Sequence, residues 1–241
     1  VAFSFGVTMK PTKELLQEYN DLFKSMVVNK TPSVDAIVKK ILSERHQYEA
    51  VEKETGVPWY VIATIHNMEA SLDFRKQLHN GQFWNQRTTW VPKGLGPWGS
   101  WHEAAVDAMT TLKKDLQRVF GDFEVLQISM VCYAFESHNG WGYRKFHSHV
   151  KSPYLWSFSN HYTKGKYVAD GKWSETAVSA QVGAMVIIKQ LMEKANILNG
   201  EQSSEPTPIP EPSKPVEPKP APRPPVRVSF WQKVKRFFGW G

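Results

Sequence analysis

Ten of the sixteen prolines in this 241-residue chain fall between residues 205 and 225. Proline fixes φ and offers no backbone donor, so a run this dense enters neither helix nor sheet and favours an extended polyproline conformation. It reads as a semi-stiff linker, and the main folded unit must lie before it. That stretch is long enough to bury one sizeable core. Four parts are expected: an N-terminal helical arm (1–32), a folded unit (33–200), a Pro-rich linker (201–227) and a basic tail helix (228–241).

The folded unit should be mainly α. Leu15, Leu16, Tyr19, Leu22 and Phe23 recur at helical spacing between Met9 and Met26, so the arm should pack on the rest. Pro32-Ser33 offers a helix start, with Ala36, Ile37, Ile41 and Leu42 on one face and Gly56 as the stop. Pro58 opens a mostly apolar helix that runs from Trp59 through Ile62, Ile65 and His66 to Glu69. Residues 71–99 are loop-like, punctuated by Asn80-Gly81, Pro92, Gly94, Gly96-Pro97 and Gly99. Further helices are expected over about 101–120 and 124–136. A second long loop spans 137–172, and a last helix begins near Ser174 and carries Val178, Val182, Met185, Ile188 and Leu191.

Composition narrows the partners only partly. The formal charge of +7 would attract nucleic acid, anionic lipid, lipopolysaccharide or bacterial wall polymers alike. No nucleic-acid-binding fold signature accompanies it, so no nucleic-acid partner is expected. The single cysteine, Cys132, sits in an apolar run and reads as a small buried hydrophobe, so no intramolecular disulfide can form. No signal peptide and no membrane-spanning run is evident. The ten tryptophans either fill the core or line a sugar cleft, because flat sugar faces stack on aromatic rings.

The candidate for chemistry is Glu69. A carboxyl at the end of an apolar helix, opening onto a loop-walled cleft, would be poorly hydrated, and a poorly hydrated carboxyl keeps its proton. Cleavage of a glycosidic bond needs such a group, since the departing sugar oxygen must be protonated. A solvated helix-end glutamate explains the same spacing. Among the other acids, Glu136 at the end of an apolar helix is the best second carboxylate. Glu103 has capping-box spacing from Ser100, and Asp107 reads as a solvated helix residue.

The stretch Val57-Pro58-Trp59-Tyr60-Val61-Ile62-Ala63-Thr64-Ile65-His66-Asn67-Met68-Glu69-Ala70-Ser71 resembles the catalytic helix of lysozyme-like and lytic-transglycosylase-like proteins. The order of later stretches is similar to a group of phage and bacterial lysozyme-like proteins. These are Leu78-His79-Asn80-Gly81, Trp101-x-Glu103-x-Ala105-x-Asp107-Ala108, Glu136-x-x-Asn139-Gly140-x-Gly142-Tyr143-Arg144, Ser152-Pro153-Tyr154-Leu155-Trp156-Ser157, and Asn160-His161-Tyr162-Thr163 with its continuation to Gly171. The similarity covers roughly residues 34–195. It implies a lysozyme-like domain that cleaves peptidoglycan between N-acetylmuramic acid and N-acetylglucosamine, with Glu69 as the catalytic acid and no cofactor.

By the same resemblance, Asn139, Tyr143, Asn160, Tyr162 and His66 are expected to bind the sugar, with Trp141 or Trp156 stacking on it. A lytic transglycosylase can work with one glutamate, whereas a muramidase also needs an activated water. The Gly-Leu-Met-Gln-like segment of typical lytic transglycosylases is absent here, so the exact bond chemistry stays open. The expected setting is a phage endolysin or virion-associated lysin, made in the host cytoplasm and acting on the wall. A bacterial wall-remodelling enzyme is the variant of this reading.

Three rivals remain at this stage. A non-catalytic wall-binding module and a virion structural protein would keep the fold without the activity. A peptidoglycan endopeptidase would need a metal or a thiol. His147-x-His149 and His161 invite a zinc site, yet no His-Glu-x-x-His helix occurs.

The tail has its own pattern. Ser229 can cap a helix with Phe230, Phe237 and Phe238 on one side, Trp231 nearby, and Lys233, Lys235 and Arg236 among the polar positions. A basic amphipathic tip of this kind suits an anionic membrane or lipopolysaccharide. Docking on its own domain or on a partner protein is the other reading.

Overall fold

The computed structural model describes residues 9–29, 31–169 and 171–197. Among these the architecture is mainly α: α1 (Lys13–Ser25), α2 (Pro32–Ser43), α3 (Arg45–Thr55), α4 (Trp59–Ala70), α5 (Trp101–Phe120), α6 (Ile128–Asn139), α7 (Gly142–Phe146), α8 (Pro153–Trp156) and α9 (Ala184–Lys194). One antiparallel hairpin, β1 (Lys166–Ala169) and β2 (Lys172–Ser174), pairs Tyr167 with Trp173. No helix among the described residues is long and apolar enough to cross a membrane. The linker and the tail residues Phe230, Trp231, Lys233, Lys235, Arg236, Phe237 and Phe238 lie outside the described residues.

The centre is α9, buried on nearly every side through Met185, Val186, Ile187, Ile188, Leu191 and Met192. A helix apolar all round can exist in water only inside other elements, and α9 packs on α2, α4 and α8. Helix α4 is similarly enclosed: Val61, Ile62, Ala63, Thr64, Ile65 and His66 are all buried, with α3 against it. Helix α6 is buried from Ser129 to Ser137 and lies between α1 and α8.

The N-terminal helix α1 belongs to the same core. Thr12 caps it by accepting from Leu15 N, and Leu15, Leu16, Tyr19 and Phe23 are buried. Its C-terminal carbonyls are held by Lys189 of α9, whose ammonium donates to Phe23 O (3.1 Å) and Met26 O (2.6 Å). The next residues are fastened too: Asn160 Oδ1 accepts from Val27 N (2.8 Å), and Asn29 N donates to Phe158 O (2.9 Å). No break in the core separates residues before 32 from those after it.

Three boundaries differ from the sequence expectation. The single helix expected over 32–55 is two, divided at Glu44 (φ −108°, ψ 13°), whose N–H closes α2 onto Ile41 O. The turn lets α3 lie against α4 and α5. The loop expected over 137–172 holds α7, α8 and most of the hairpin. The last helix starts at Ala184 rather than near Ser174. Gly183 passes so close to the Leu155 carbonyl that a Cβ there would lie within 3.0 Å of it. That approach fixes the N-cap, and Val178, taken as a core position, is 61% exposed.

The tryptophans divide between core and surface. Trp59, Trp101, Trp141 and Trp156 are core residues, whereas Trp90 is 62% exposed on the 71–99 loop.

Candidate active site

Glu69 is the penultimate residue of α4, and the way that helix ends sets its surroundings. Ser71 (φ 54°) and Leu72 (φ 59°) both take left-handed backbone, closing the helix through Ser71 N to Asn67 O (3.1 Å) and Leu72 N to His66 O (3.3 Å). Two consecutive non-glycine residues in this region carry strain, which persists only where surrounding contacts impose it. Here the following loop imposes it, because it folds back on the helix end. A Cβ on Gly81 (φ 75°) would lie within 3.0 Å of the Glu69 carbonyl oxygen, so glycine is required for the approach as well as for the turn.

The loop is built on buried amides. Gln77 accepts from His79 N (2.6 Å) and Asn80 N (3.2 Å) and donates to Asn80 Oδ1. Gln82 accepts from Thr89 N (2.9 Å) and Trp90 N (2.8 Å). His79 stacks on Trp98 and bonds Asp107 through Nε2 (2.9 Å), which ties the loop to α5. Asp107 is therefore more than a solvated position. Glu103 does have a structural role: its N–H donates to the Ser100 hydroxyl oxygen, and its carboxylate accepts from Gly99 N.

Two side chains meet Glu69 from other helices. His138, at the end of α6, places Nε2 2.9 Å from Glu69 Oε1. Tyr154, in α8, donates its hydroxyl to the same oxygen, also at 2.9 Å. The His138 side chain is 4% exposed and that of Glu69 is 8%. Burial, followed by the charge of Glu69, pushes the Tyr154 phenol well above its ordinary range, so the hydroxyl remains a donor. Asn139 Nδ2 bonds Ser152 Oγ (3.1 Å), pinning the end of α6 to the start of α8. Both contacts fall on Oε1, and no hydrogen bond from the described residues occupies Oε2.

The second carboxylate expected from the sequence is engaged elsewhere. Glu136 is buried, with Oε2 accepting from Arg144 Nε (2.7 Å) and from the Tyr19 hydroxyl. Arg144 in turn reaches Glu18 (2.7 Å), and Glu18 pairs with Lys151. The result is an ion-pair network that ties α1 to α6 and α7. Both contacts fall on Oε2, and they give Glu136 a structural role in joining these helices.

The expected sugar-binding residues also have structural partners. His66 is fully buried in a box of Tyr48, Phe74 and Trp101, with Nδ1 3.0 Å from the Tyr48 hydroxyl. Burial pushes its imidazole down to about 4, and it has no surface for a ligand. Trp156 is 1% exposed and Trp141 6%, which removes both as stacking platforms. Tyr162 is buried and accepts from Ser179 N (3.1 Å). Tyr143 is buried too and accepts from Tyr167 N (3.4 Å), its phenol pushed up to about 12 by burial. Asn160 clamps Val27 N and Ser25 O. Asn139 alone of this set adjoins the Glu69 cluster, through its neighbour His138.

The two partners of Glu69 were not singled out from the sequence. His138 stood in the second His-Asn-Gly turn and Tyr154 behind the helix-starting Ser152-Pro153, but no local spacing joins either to residue 69. The histidines considered for zinc are apart in role: His147 stacks on Trp173 at 3.5 Å, and His161 Nε2 bonds Leu22 O (2.8 Å). Among the described residues no three His, Cys, Asp or Glu side chains gather as a metal site. Cys132 is wholly buried in α6, and burial pushes its thiol up.

No family model matches the chain, and neither a curated protein nor a solved structure does.

Proposed function

We propose that this chain is a peptidoglycan hydrolase of lysozyme-like type. It cleaves the β-1,4 bond between N-acetylmuramic acid and N-acetylglucosamine with Glu69 as general acid, at the bacterial wall and in the manner of a phage lysin. The observation that carries the reading is the Glu69 carboxyl itself. It is nearly buried at the strained exit of an apolar helix, it is met on one oxygen by Tyr154 and His138, and among the described residues nothing bonds its other oxygen.

That arrangement suits proton delivery. The Oε2 proton passes to the glycosidic oxygen as the bond from C1 to that oxygen breaks, and the bonding electrons leave with the oxygen. C1 is then captured either by water or by a hydroxyl of the same sugar, and in both routes the attacking oxygen's spare proton returns to Glu69. The first route is a muramidase and the second a lytic transglycosylase. With Glu136 committed to Arg144, the acid and the later base are the same residue, and the substrate's N-acetyl group can assist at C1.

Replacing Glu69 with glutamine keeps the size and removes the transferable proton. E69Q should keep its thermal transition and lose clearing of a peptidoglycan-containing gel by at least about a hundredfold. Undiminished clearing by a folded E69Q protein refutes the assignment. A wild-type protein that clears nothing favours a wall-binding or structural protein. Product mass spectrometry separates the chemistries: an anhydro end marks a transglycosylase, a reducing end a muramidase, and a cut peptide overturns both.

A further inference from the structure

We propose that His138 and Tyr154 are positioning residues that reserve Glu69 Oε1 for the protein and so confine the exchangeable proton to Oε2, the oxygen that would deliver it to substrate. The inference rests on the glycosidase reading of Glu69 and deepens it.

Tyr154 donates its hydroxyl to Oε1 at 2.9 Å. His138 Nε2 meets the same oxygen at the same distance. In the Nε2–H tautomer it donates as well. With the Tyr154 hydroxyl bonded to it and the His138 nitrogen against it, Oε1 is occupied by the protein, and the acid's proton is left to the other oxygen. The two donors come from different helices, α6 and α8, that the Asn139–Ser152 bond holds together. Their rings lie 5.9 Å apart. The carboxyl is therefore gripped from two sides and cannot exchange its oxygens without breaking both bonds.

The same geometry favours the transition state over the ground state. While Glu69 carries its proton, Oε1 is a neutral carbonyl acceptor. As the proton leaves Oε2, Oε1 takes up half of the carboxylate charge, and hydrogen bonds to charged acceptors are roughly twice as strong as neutral ones. Interactions that strengthen only as the barrier is crossed raise kcat and leave KM largely unchanged. Each donor should be worth about tenfold in kcat.

The test compares Y154F, H138F and H138Q with the full wild-type chain on purified peptidoglycan. Y154F removes one hydroxyl without changing shape. H138F removes the donor, and H138Q restores an N–H at similar reach. The expected result is a kcat about tenfold lower for Y154F and H138F, KM within about twofold, and recovery of most of the loss in H138Q. A full-rate Y154F, losses confined to KM, or an H138Q no better than H138F overturns the proposal. A second readout needs no catalysis: the side-chain carboxyl 13C resonance of Glu69, assigned by its absence in E69Q, should move in Y154F and H138F. A resonance that stays put also overturns the proposal. Failure of the hydrolase reading is distinguishable, because it appears as an inactive wild type, or an active E69Q, beside a resonance that still responds.

Discussion

Replacing Gly81 with alanine probes the seam between the loop and the Glu69 end of α4 with one methyl group. The added carbon would sit within 3.0 Å of the Glu69 carbonyl oxygen, whereas ordinary contact begins at 3.4 Å. Loop and helix end must therefore separate by about 1 Å to restore normal packing. Two costs add: a side chain at φ 75° costs about 1–2 kcal/mol, and forcing atoms into a packed seam costs about 1–3 kcal/mol. G81A should lose about 2–5 kcal/mol of stability, read as a shift of the urea midpoint. Lysis by the folded fraction should fall about a hundredfold, the usual consequence of moving a reacting group by 1 Å.

The control is internal to the loop. Gly94 has the same backbone handedness (φ 80°) but nothing within 4 Å of its would-be Cβ. G94A should therefore show the conformational cost alone, about 1–2 kcal/mol, with lysis intact. If G81A is no more destabilised than G94A, or loses stability while keeping full activity per folded molecule, the loop does not hold Glu69 in place and the reasoning fails.

Two other outcomes follow. His66 is neutral and buried, its imidazole down near 4 against about 6.5 in an unfolded chain, so its contribution is complete above pH 6.5 and fades as pH falls toward 4. Wild type should lose about 3 kcal/mol more than H66Q across that window, by urea denaturation at a series of pH values, and equal pH dependence in the two proteins would contradict the buried box. E136Q removes a charge from the Arg144 and Tyr19 contacts and should cost about 1–3 kcal/mol, with kcat on peptidoglycan unchanged; collapse of kcat in a folded E136Q protein would return Glu136 to the chemistry.

Features carried by local physics were legible in the sequence. The course of α4 could be read because Pro58 starts it and an apolar run fills every face, and Ser100 with Glu103 announced α5 by the capping box they form. Glu69 was singled out through the resemblance of residues 57–71 to a lysozyme-like catalytic helix, because its spacing alone also fits a solvated helix-end glutamate. Features decided by distant contacts were hidden. The division at Glu44 has no glycine or proline to mark it and exists because α3 must turn onto α4 and α5. Val178 and Val182 continue the spacing of α9 backward, but Gly183 meeting Leu155 ends the helix first. His66 shares a face with Glu69 by spacing, and only the arrival of Tyr48, Phe74 and Trp101 shows that this face is closed there. Glu136 looked free because its counter-charge, Arg144, and the phenol of Tyr19 come from two other helices.

The fastening of α1 decides how this polypeptide can be cut. Glu18 and Tyr19 complete the polar cluster around Arg144, and Lys189 spends its ammonium on the last carbonyls of that helix. A fragment beginning at residue 33 would leave a guanidinium, an ammonium and one flank of α6 bare at once. The shortest self-sufficient piece must therefore start upstream of Lys13, and a protease that severs the chain near residue 30 should leave two halves that stay associated until denatured.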